Sequence, residues 1–402
     1  MSKKQRNASR SAQRASLLAL AKSVRVPSQT DVCVVGGGAA GLVASIVAAE
    51  HGARVVVLEQ APECGRSILA TGNGRCNFAN RTLDPKLFND PSFVRHACGT
   101  TWLDDVLDFF RNCGLAWAEE DGGRLYPLSR QASSVRNVLL ARARAARVVL
   151  AAAREVTQLG RAGDLFEVTW HEMFGTQQYG SLRAQTLVVA TGGLAELPLG
   201  DLGLTTTPIS PILCPLACKG PLLDVLDGRR VRASATLLRN DHVVLKESGE
   251  VLFRPYGLSG IVVFNLSRHS LPDDKIVLDL MPTLPIQDAL ALASFALDGI
   301  LDPVIAHALF SVTKDAREAV MLAKSLCYTV EGPAETSRAQ VHRGGIVTNQ
   351  LRPHNLEAKE IPRLFVCGEA VDVDGPCGGY NLAWAWKSGL VAGLAASEGL
   401  KS

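Results

Sequence analysis

The chain has 402 residues, 47% of them hydrophobic and 20% charged, with a formal net charge of +3. That balance suits a globular protein of two or three domains and is too small to argue for nucleic-acid binding by charge alone. No apolar run reaches the ~20 residues of a membrane-spanning helix, and no continuous apolar stretch follows the basic N-terminus as in a secretory signal, so a cytoplasmic protein without membrane association is expected.

The first segment, residues 1–29, reads as a basic, disordered tail. Lys3, Lys4, Arg6, Arg10, Arg14, Lys22 and Arg25 all precede the first acid, Asp31. A solvated tail, an arm for nucleic acid or another anionic surface, and a transit peptide share this composition, and the sequence leaves the three open. The ten cysteines form no CxxC pair. The closest two, Cys214 and Cys218, fit neither a redox motif nor a zinc knuckle, so buried reduced thiols and no metal are expected.

Residues 31–60 read "DVCVVGGGAAGLVASIVAAEHGARVVVLEQ". A buried strand runs into Gly36, Gly38 and Gly41, a helix follows and stops at Gly52, and a second buried strand ends in Glu59. Strand, G-x-G-x-x-G, helix, strand and acid occur in the order a dinucleotide needs. The first glycine permits the turn, the second admits a pyrophosphate, and the third lets helix and strand pack closely. The helix start, with Ala39 and Ala40, offers free N–H groups to the phosphates. Glu59, followed by Gln60, is placed to accept from a ribose hydroxyl, and its charge disfavours a 2′-phosphate.

Next comes "GRSILATGNGRCNFAN", a small polar loop without helix or strand period. Beyond it, residues 148–190 read as a short meander returning to the sheet through "TLVVATGG", where Ala190, Thr191 and Gly192 end a buried strand. Residues 196–340 read as an insertion. "RASATLLRNDHVVLKESGEVLF" and "KIVLDLMP" have strand composition with turns expected at "RND" and "ESGE", and "PIQDALALASFALDGI" through "AVMLAKSLC" has helical spacing. The last part, "LFVCGEAVDVDGPCGGYNLAWAWKSG", reads as a strand ending at Gly368 and Glu369, a glycine-rich loop with Asp372, and a helix from about Tyr380 to Gly389. Trp384 and Trp386 are expected to pack inward.

In these segments the chain resembles the BaiN-like, aminoacetone-oxidase-like flavoproteins, whose nucleotide domain is of the glutathione-reductase type. "GRSILATGNGRCNFAN", "ATGG", "GLSG", "RGGI", "GEAVDVDG" and "GGYNLAWAWKSG" carry the resemblance from residue 31 to 393. It implies an α/β fold: a Rossmann-like FAD-binding domain over 30–195 and 341–402, with a β-rich then helical substrate-side domain inserted at 196–340. It implies FAD as cofactor and an oxidoreductase acting on a small organic substrate by hydride transfer through flavin N5. The insertion lacks a second G-x-G-x-x-G unit, so NADH or NADPH is expected to bind only transiently as donor. An amine oxidase using O2, a flavin-binding sensor without turnover and an RNA-associated flavoenzyme are the alternatives.

The resemblance assigns cofactor contacts to Gly36, Gly38, Ala39, Ala40, Gly41, Glu59, Gln60 and Arg66, to Thr71, Gly72, Asn73, Gly74, Arg75, Cys76 and Asn77, to Ala190, Thr191 and Gly192, and to Gly368, Glu369, Asp372, Gly379, Tyr380, Asn381 and Leu382. Gly72 and Gly74 allow close backbone approach, and Asn73 and Asn77 either pin their loop or bond the ring edge. Arg75 meets the cofactor or forms a salt bridge. The start of the last helix is expected to stabilise negative charge on the reduced ring by a fraction of a kcal/mol up to ~2 kcal/mol. Departures from the family, Ser67 where a lysine is usual, "FRPY" before "GLSG", and a short stretch after Gly193, concentrate where substrate would sit. Catalysis is not assigned; Arg254, Tyr256 and Tyr380 are candidates for anchoring substrate or donating a proton. Cys76 is read as a close-packed neighbour of flavin, with a catalytic thiol as the minor alternative. His51, His171 and His342 are read as structural.

Overall fold

The computed structural model describes residues 15–174, 178–193, 202–293 and 297–400. Part of the basic tail, the short stretch after Gly193 and three residues of the helical run at 294–296 lie outside them. The chain divides into two units, Met1–Ser210 with Arg343–Ser402, and Pro211–His342. The first boundary comes later in the chain than the 195/196 expected, and the second lies close to 340/341. The two chain passages between the units, Thr206–Ile212 and Val341–Ile346, pair as a two-stranded sheet.

The first unit is built on a seven-stranded sheet. β1 (Gln29–Val35), β2 (Val55–Glu59) and β3 (Val149–Ala152) lie parallel in the order β3-β2-β1. β4 (Arg154–Ala162), β5 (Leu165–Glu172) and β6 (Tyr179–Val189) form the antiparallel meander. β6 is long enough to do two things. Its first half pairs with β5, and its second half lies parallel to β1 through Val32↔Thr186 to Val35↔Val189. The other edge of that second half takes the late strand Leu364–Val366, also parallel. A hydrophobic run such as Val32–Val35 is therefore buried on both faces, which is why it shows no alternation.

Between β1 and β2 runs α1 (Ala39–Glu50), buried almost all round. The last helix, α2 (Tyr380–Glu398), crosses it and extends well past the Gly389 expected. It continues because Gly389 and Gly393 face the backbone of α1 at Ala40 and Ala44, where closeness of approach outweighs helix propensity. Trp384 and Trp386 are fully buried, as expected. Each indole removes on the order of 150–250 Å² from water, a gross contribution of roughly 4–6 kcal/mol.

Residues 15–23, assigned from sequence to a disordered tail, are helical, and Ala21 is buried while Lys22 pairs with Glu172 at 3.7 Å. The basic run concealed a helix because Leu17–Ala21 carries enough apolar surface to dock one face.

The second unit is a closed six-stranded antiparallel barrel. Its strands are β7 (Leu216–Lys219), β8 (Arg230–Arg239), β9 (His242–Arg254), β10 (Gly257–Ser259), β11 (Lys275–Asp279) and β12 (Leu326–Pro333), in the order β7-β10-β9-β8-β11-β12. The turn expected at "ESGE" does not exist. β9 runs straight through it, with Ser248, Gly249 and Glu250 paired to Ser234, Ala233 and Arg232. Cross-strand pairing along β8 overrides the local turn signal. Three short helices, Ile286–Leu292, Pro303–Ser311 and Ala316–Lys324, follow β11. No helix among the described residues is long and apolar enough to cross a membrane.

Candidate cofactor site

The carboxyl ends of the parallel strands converge on one edge of the first unit, the place where open α/β sheets hold ligands. At the end of β1, Gly36 has φ +103° and its N–H donates to the Leu58 carbonyl at 2.8 Å. A Cβ there would stand 2.4 Å from the Ala190 carbonyl oxygen, and one on Gly41 would stand 1.9 Å from that of Gly36. No other residue type fits either place. Gly38 is different: a Cβ there would meet only Ser67 Oγ, at 3.5 Å. The turn is thus closed against the sheet and open on the outer face. α1 begins there without a side-chain cap and without an acid in its first turn, so Ala39 and Ala40 stand where an anion would complement the helix. Gln60, Arg66 and Ser67 are exposed around it.

Glu59 is held in the turn. Its Oε2 accepts from the Gly37 N–H and its Oε1 from the Ala61 N–H, both at 2.7 Å. Burial raises its pKa, and the two backbone donors pull it back. A carboxylate offers about four acceptor sites, so both oxygens retain capacity for a ribose.

The loop after β2 starts as a tight turn over Ser67–Gly74, in which Thr71 Oγ1 donates to the Ile68 carbonyl at 2.6 Å. Gly72, Asn73, Gly74 and Cys76 all have positive φ. This run of left-handed residues is what the glycines and asparagine in the sequence encode. Cys76 is sealed from solvent, and burial pushes its thiol up to about 12. Arg75 pairs with Glu120 and lies over the Tyr126 ring, 4.4 Å from its centroid. Asn77 Oδ1 is buried with no hydrogen-bond partner among the described residues.

The closing segment brings the other candidates in. Gly368 donates its N–H to Ser388 Oγ at 2.9 Å, and its carbonyl accepts from Trp384 Nε1 at 3.0 Å. A Cβ on Gly192 would stand 4.0 Å from Glu369 Oε2, which sets Thr191 and Gly192 beside Glu369. Asp372 accepts from Thr207 Oγ1 at 2.8 Å and from the Gly344 N–H at 3.2 Å. Asn381 is folded onto its own loop, with Oδ1 on the Gly375 N–H and Nδ2 on the Gly375 carbonyl, both 2.8 Å. Tyr380 is buried, and its hydroxyl bonds to Thr82 at 3.1–3.2 Å. Gly379, φ +97°, caps α2, and Leu382 lies half-buried one turn on. The side chains of Arg75, Asp372, Tyr380 and Asn381 are therefore occupied within the protein.

The other two catalytic candidates lie in the second unit. Arg254 pairs with Asp227 at 3.4 Å and sits 5.9 Å from the centroid of the Tyr256 ring. Tyr256 lines a cleft of about 630 Å³ with Cys218, Lys219, Asp224 and Glu331. Sequence reasoning missed the residues that hold the site together. Asn80 Nδ2 donates to the Gly378 carbonyl at 2.8 Å, and the Arg343 guanidinium grips buried Asp374 at 2.8 and 2.9 Å. Asn80 was visible at the end of the quoted loop; nothing in the sequence pairs Arg343 with Asp374.

These features fit FAD. The outer face of Gly38 and the glycine at 192 leave space, and Asn77 Oδ1 is an unmet acceptor. Among the described residues no group of three His, Cys, Asp or Glu is arranged to hold a metal.

The HI0933-like protein Rossmann domain matches residues 30–395. The chain is 31% identical to the 3-dehydro-bile acid delta(4,6)-reductase of Clostridium scindens, over 91% of this chain and 98% of that one. It is 28% identical to the ribosomal RNA dihydrouridine synthase of Escherichia coli, over 89% and 96%. The solved 3-ketosteroid-delta4-(5alpha)-dehydrogenase from Rhodococcus jostii RHA1 is 15% identical with a TM-score of 0.48, covering 93% of this chain and 98% of that one.

Proposed function

Because the chain belongs to the HI0933-like family of FAD-dependent oxidoreductases, the BaiN-like flavoproteins its motifs resemble, we propose that it saturates a carbon–carbon double bond conjugated to a carbonyl. NADH or NADPH is the transient hydride donor in this reading. One observation carries it. Two relatives matched over nearly their whole length are named for very different substrates, a 3-dehydro-bile acid and ribosomal RNA. A 3-oxo compound with 4,6 unsaturation and the uracil ring share a C=C bond conjugated to C=O, and conversion to dihydrouridine saturates that bond. The chemistry common to both names is the one assigned to this chain.

Bound FAD supplies the hydride relay at its N5. The chain's own residues bind and orient it. The Gly36–Gly41 turn and the first turn of α1 hold the pyrophosphate, with Arg66 and Ser67 above Gly38. Glu59 accepts from the ribose on the sites its backbone donors leave. Gly192, Gly368 and Glu369 border the ribityl chain, and Gly72–Asn77 with the start of α2 border the ring. Reduction also needs one proton at the carbon next to the carbonyl. Cys76 is enclosed as a thiol, and the Tyr380 hydroxyl is committed to Thr82, so neither is assigned that role. Arg254 and Tyr256 stay as the substrate-anchoring candidates.

An anaerobic bleaching screen tests this. Purified protein is mixed with NADH, NADPH or amines, and then with a 4-en-3-one steroid or a uridine-containing RNA. The expected result is bleaching by a nicotinamide donor and recolouring by one of the conjugated acceptors without O2. Bleaching by an amine, with recolouring only by O2, would make it an amine oxidase. A flavin that no donor bleaches would end the enzyme reading.

A further inference from the structure

On the cofactor reading just given, we propose that the side-chain amide oxygen of Asn77 accepts the N3–H group of the FAD isoalloxazine ring. Asn77 thereby binds the ring itself and not the adenine end.

Asn77 Oδ1 is the one acceptor-only atom among the buried, unpartnered side-chain atoms of the described residues; the rest are hydroxyls or nitrogens. Native proteins rarely leave such an oxygen unmet, because its desolvation is then uncompensated. The loop cannot turn the side chain away to solvent cheaply. The Cys76 N–H is tied to the Thr71 carbonyl at 3.0 Å, and the Phe78 N–H to the Leu125 carbonyl at 2.9 Å, so the backbone on both sides is fixed. Gly379 lies beside it: a Cβ there would stand 2.9 Å from Oδ1 and 2.5 Å from the Ala79 carbonyl oxygen. Ala79 offers a second acceptor and cannot satisfy the first. The described residues supply no donor, and a ligand bound at this site can supply one.

The donor's identity follows from what stands beside Oδ1. Gly379 is the N-cap of α2, which has no side-chain cap and no acid in its first turn. Backbone donors thus adjoin a side-chain acceptor. That pairing complements a ligand edge on which a carbonyl adjoins an N–H. Oxidised isoalloxazine has one N–H, at N3, and it is flanked by the C2 carbonyl. Ribityl hydroxyls both donate and accept and do not call for an acceptor-only partner. The adenine lies with the ribose at Glu59, at the other end of the cofactor.

The full chain, stripped of flavin, is titrated with FAD, 3-methyl-FAD, which lacks the N–H, and ADP, which lacks the ring. Asn77→Ala should weaken FAD about tenfold and leave ADP unchanged. Wild type should bind 3-methyl-FAD more weakly than FAD, and Asn77→Ala should no longer tell them apart. Asn77→Asp, which keeps an acceptor, should retain the preference for FAD over 3-methyl-FAD. Equal FAD affinity in Asn77→Ala and wild type would overturn the assignment. So would a loss shared by FAD and ADP, or discrimination against 3-methyl-FAD that survives Asn77→Ala. Failure of wild type to bind FAD at all would instead remove the cofactor reading.

Discussion

The indole N–H of Trp386 donates to the carbonyl of Phe78 at 2.8 Å, across 308 residues of sequence. This bond ties the last helix to the end of the polar loop. Both groups are buried, so the donor has no substitute from water. Trp386→Phe should therefore leave the Phe78 carbonyl unmet and cost about 1–3 kcal/mol. Chemical denaturation checks the stability. Flavin content should fall with it, because Phe78 follows Asn77 directly.

Gly393 faces the α1 backbone, where a Cβ would stand 2.5 Å from the Ala44 carbonyl oxygen. Gly393→Ala removes a poor helix former but overpacks the crossing, and overpacking outweighs the propensity gain of about 1 kcal/mol. The variant should be less stable by about 1–3 kcal/mol. A variant as stable as wild type in thermal melts would show that the two helices separate readily.

Cys76 is enclosed, and its thiol is pushed up to about 12 by burial, so it holds its proton at neutral pH. Cys76→Ala should keep its flavin and most of its turnover. A thiol reagent on native protein should label exposed Cys327 well before Cys76. Loss of all turnover with flavin retained would restore the catalytic-thiol reading.

Asp274 in the barrel unit accepts from Arg239 at 2.8 and 2.9 Å and from the Leu271 N–H at 2.8 Å. The Arg239 hydrogen bonds hold its carboxyl below the usual carboxylate range. A pKa depressed by folding contributes stability that is complete above the unfolded value of about 3.9 and is lost as pH falls through the folded one. Asp274→Asn should thus be less stable than wild type at neutral pH. The gap in urea midpoint should close as pH is lowered below about 3.9. A gap that stays constant down to the folded pKa would rule out the charge as its source.

The dinucleotide turn was legible because its physics is local. Gly36, Gly38, Gly41 and Glu59 sit within one strand–helix–strand passage, and backbone sterics restrict which residues such a turn accepts. The close backbone approach expected at Gly72 and Gly74 was local too, whereas the positive φ of Cys76 had no signal in the sequence. Local signals failed where a distant partner outweighed them. "ESGE" has turn composition, yet it is strand because β8 supplies a partner at every residue. The tail is basic, yet residues 15–23 are helical and dock through Ala21.

Composition and spacing alone determined a dinucleotide fold with an inserted domain, and family motifs determined its cofactor. The tertiary structure decided which polar side chains are spent inside the protein and which remain unspent. Arg75, Asp372, Tyr380 and Asn381 looked like ligand contacts in sequence, but each found an intramolecular partner, three of them beyond their own loop. Asn77 looked no different from Asn73 or Asn381, and it alone of the three keeps a buried oxygen without a donor. Hydrogen-bond satisfaction depends on which groups lie within about 3 Å, and only the folded chain sets those distances.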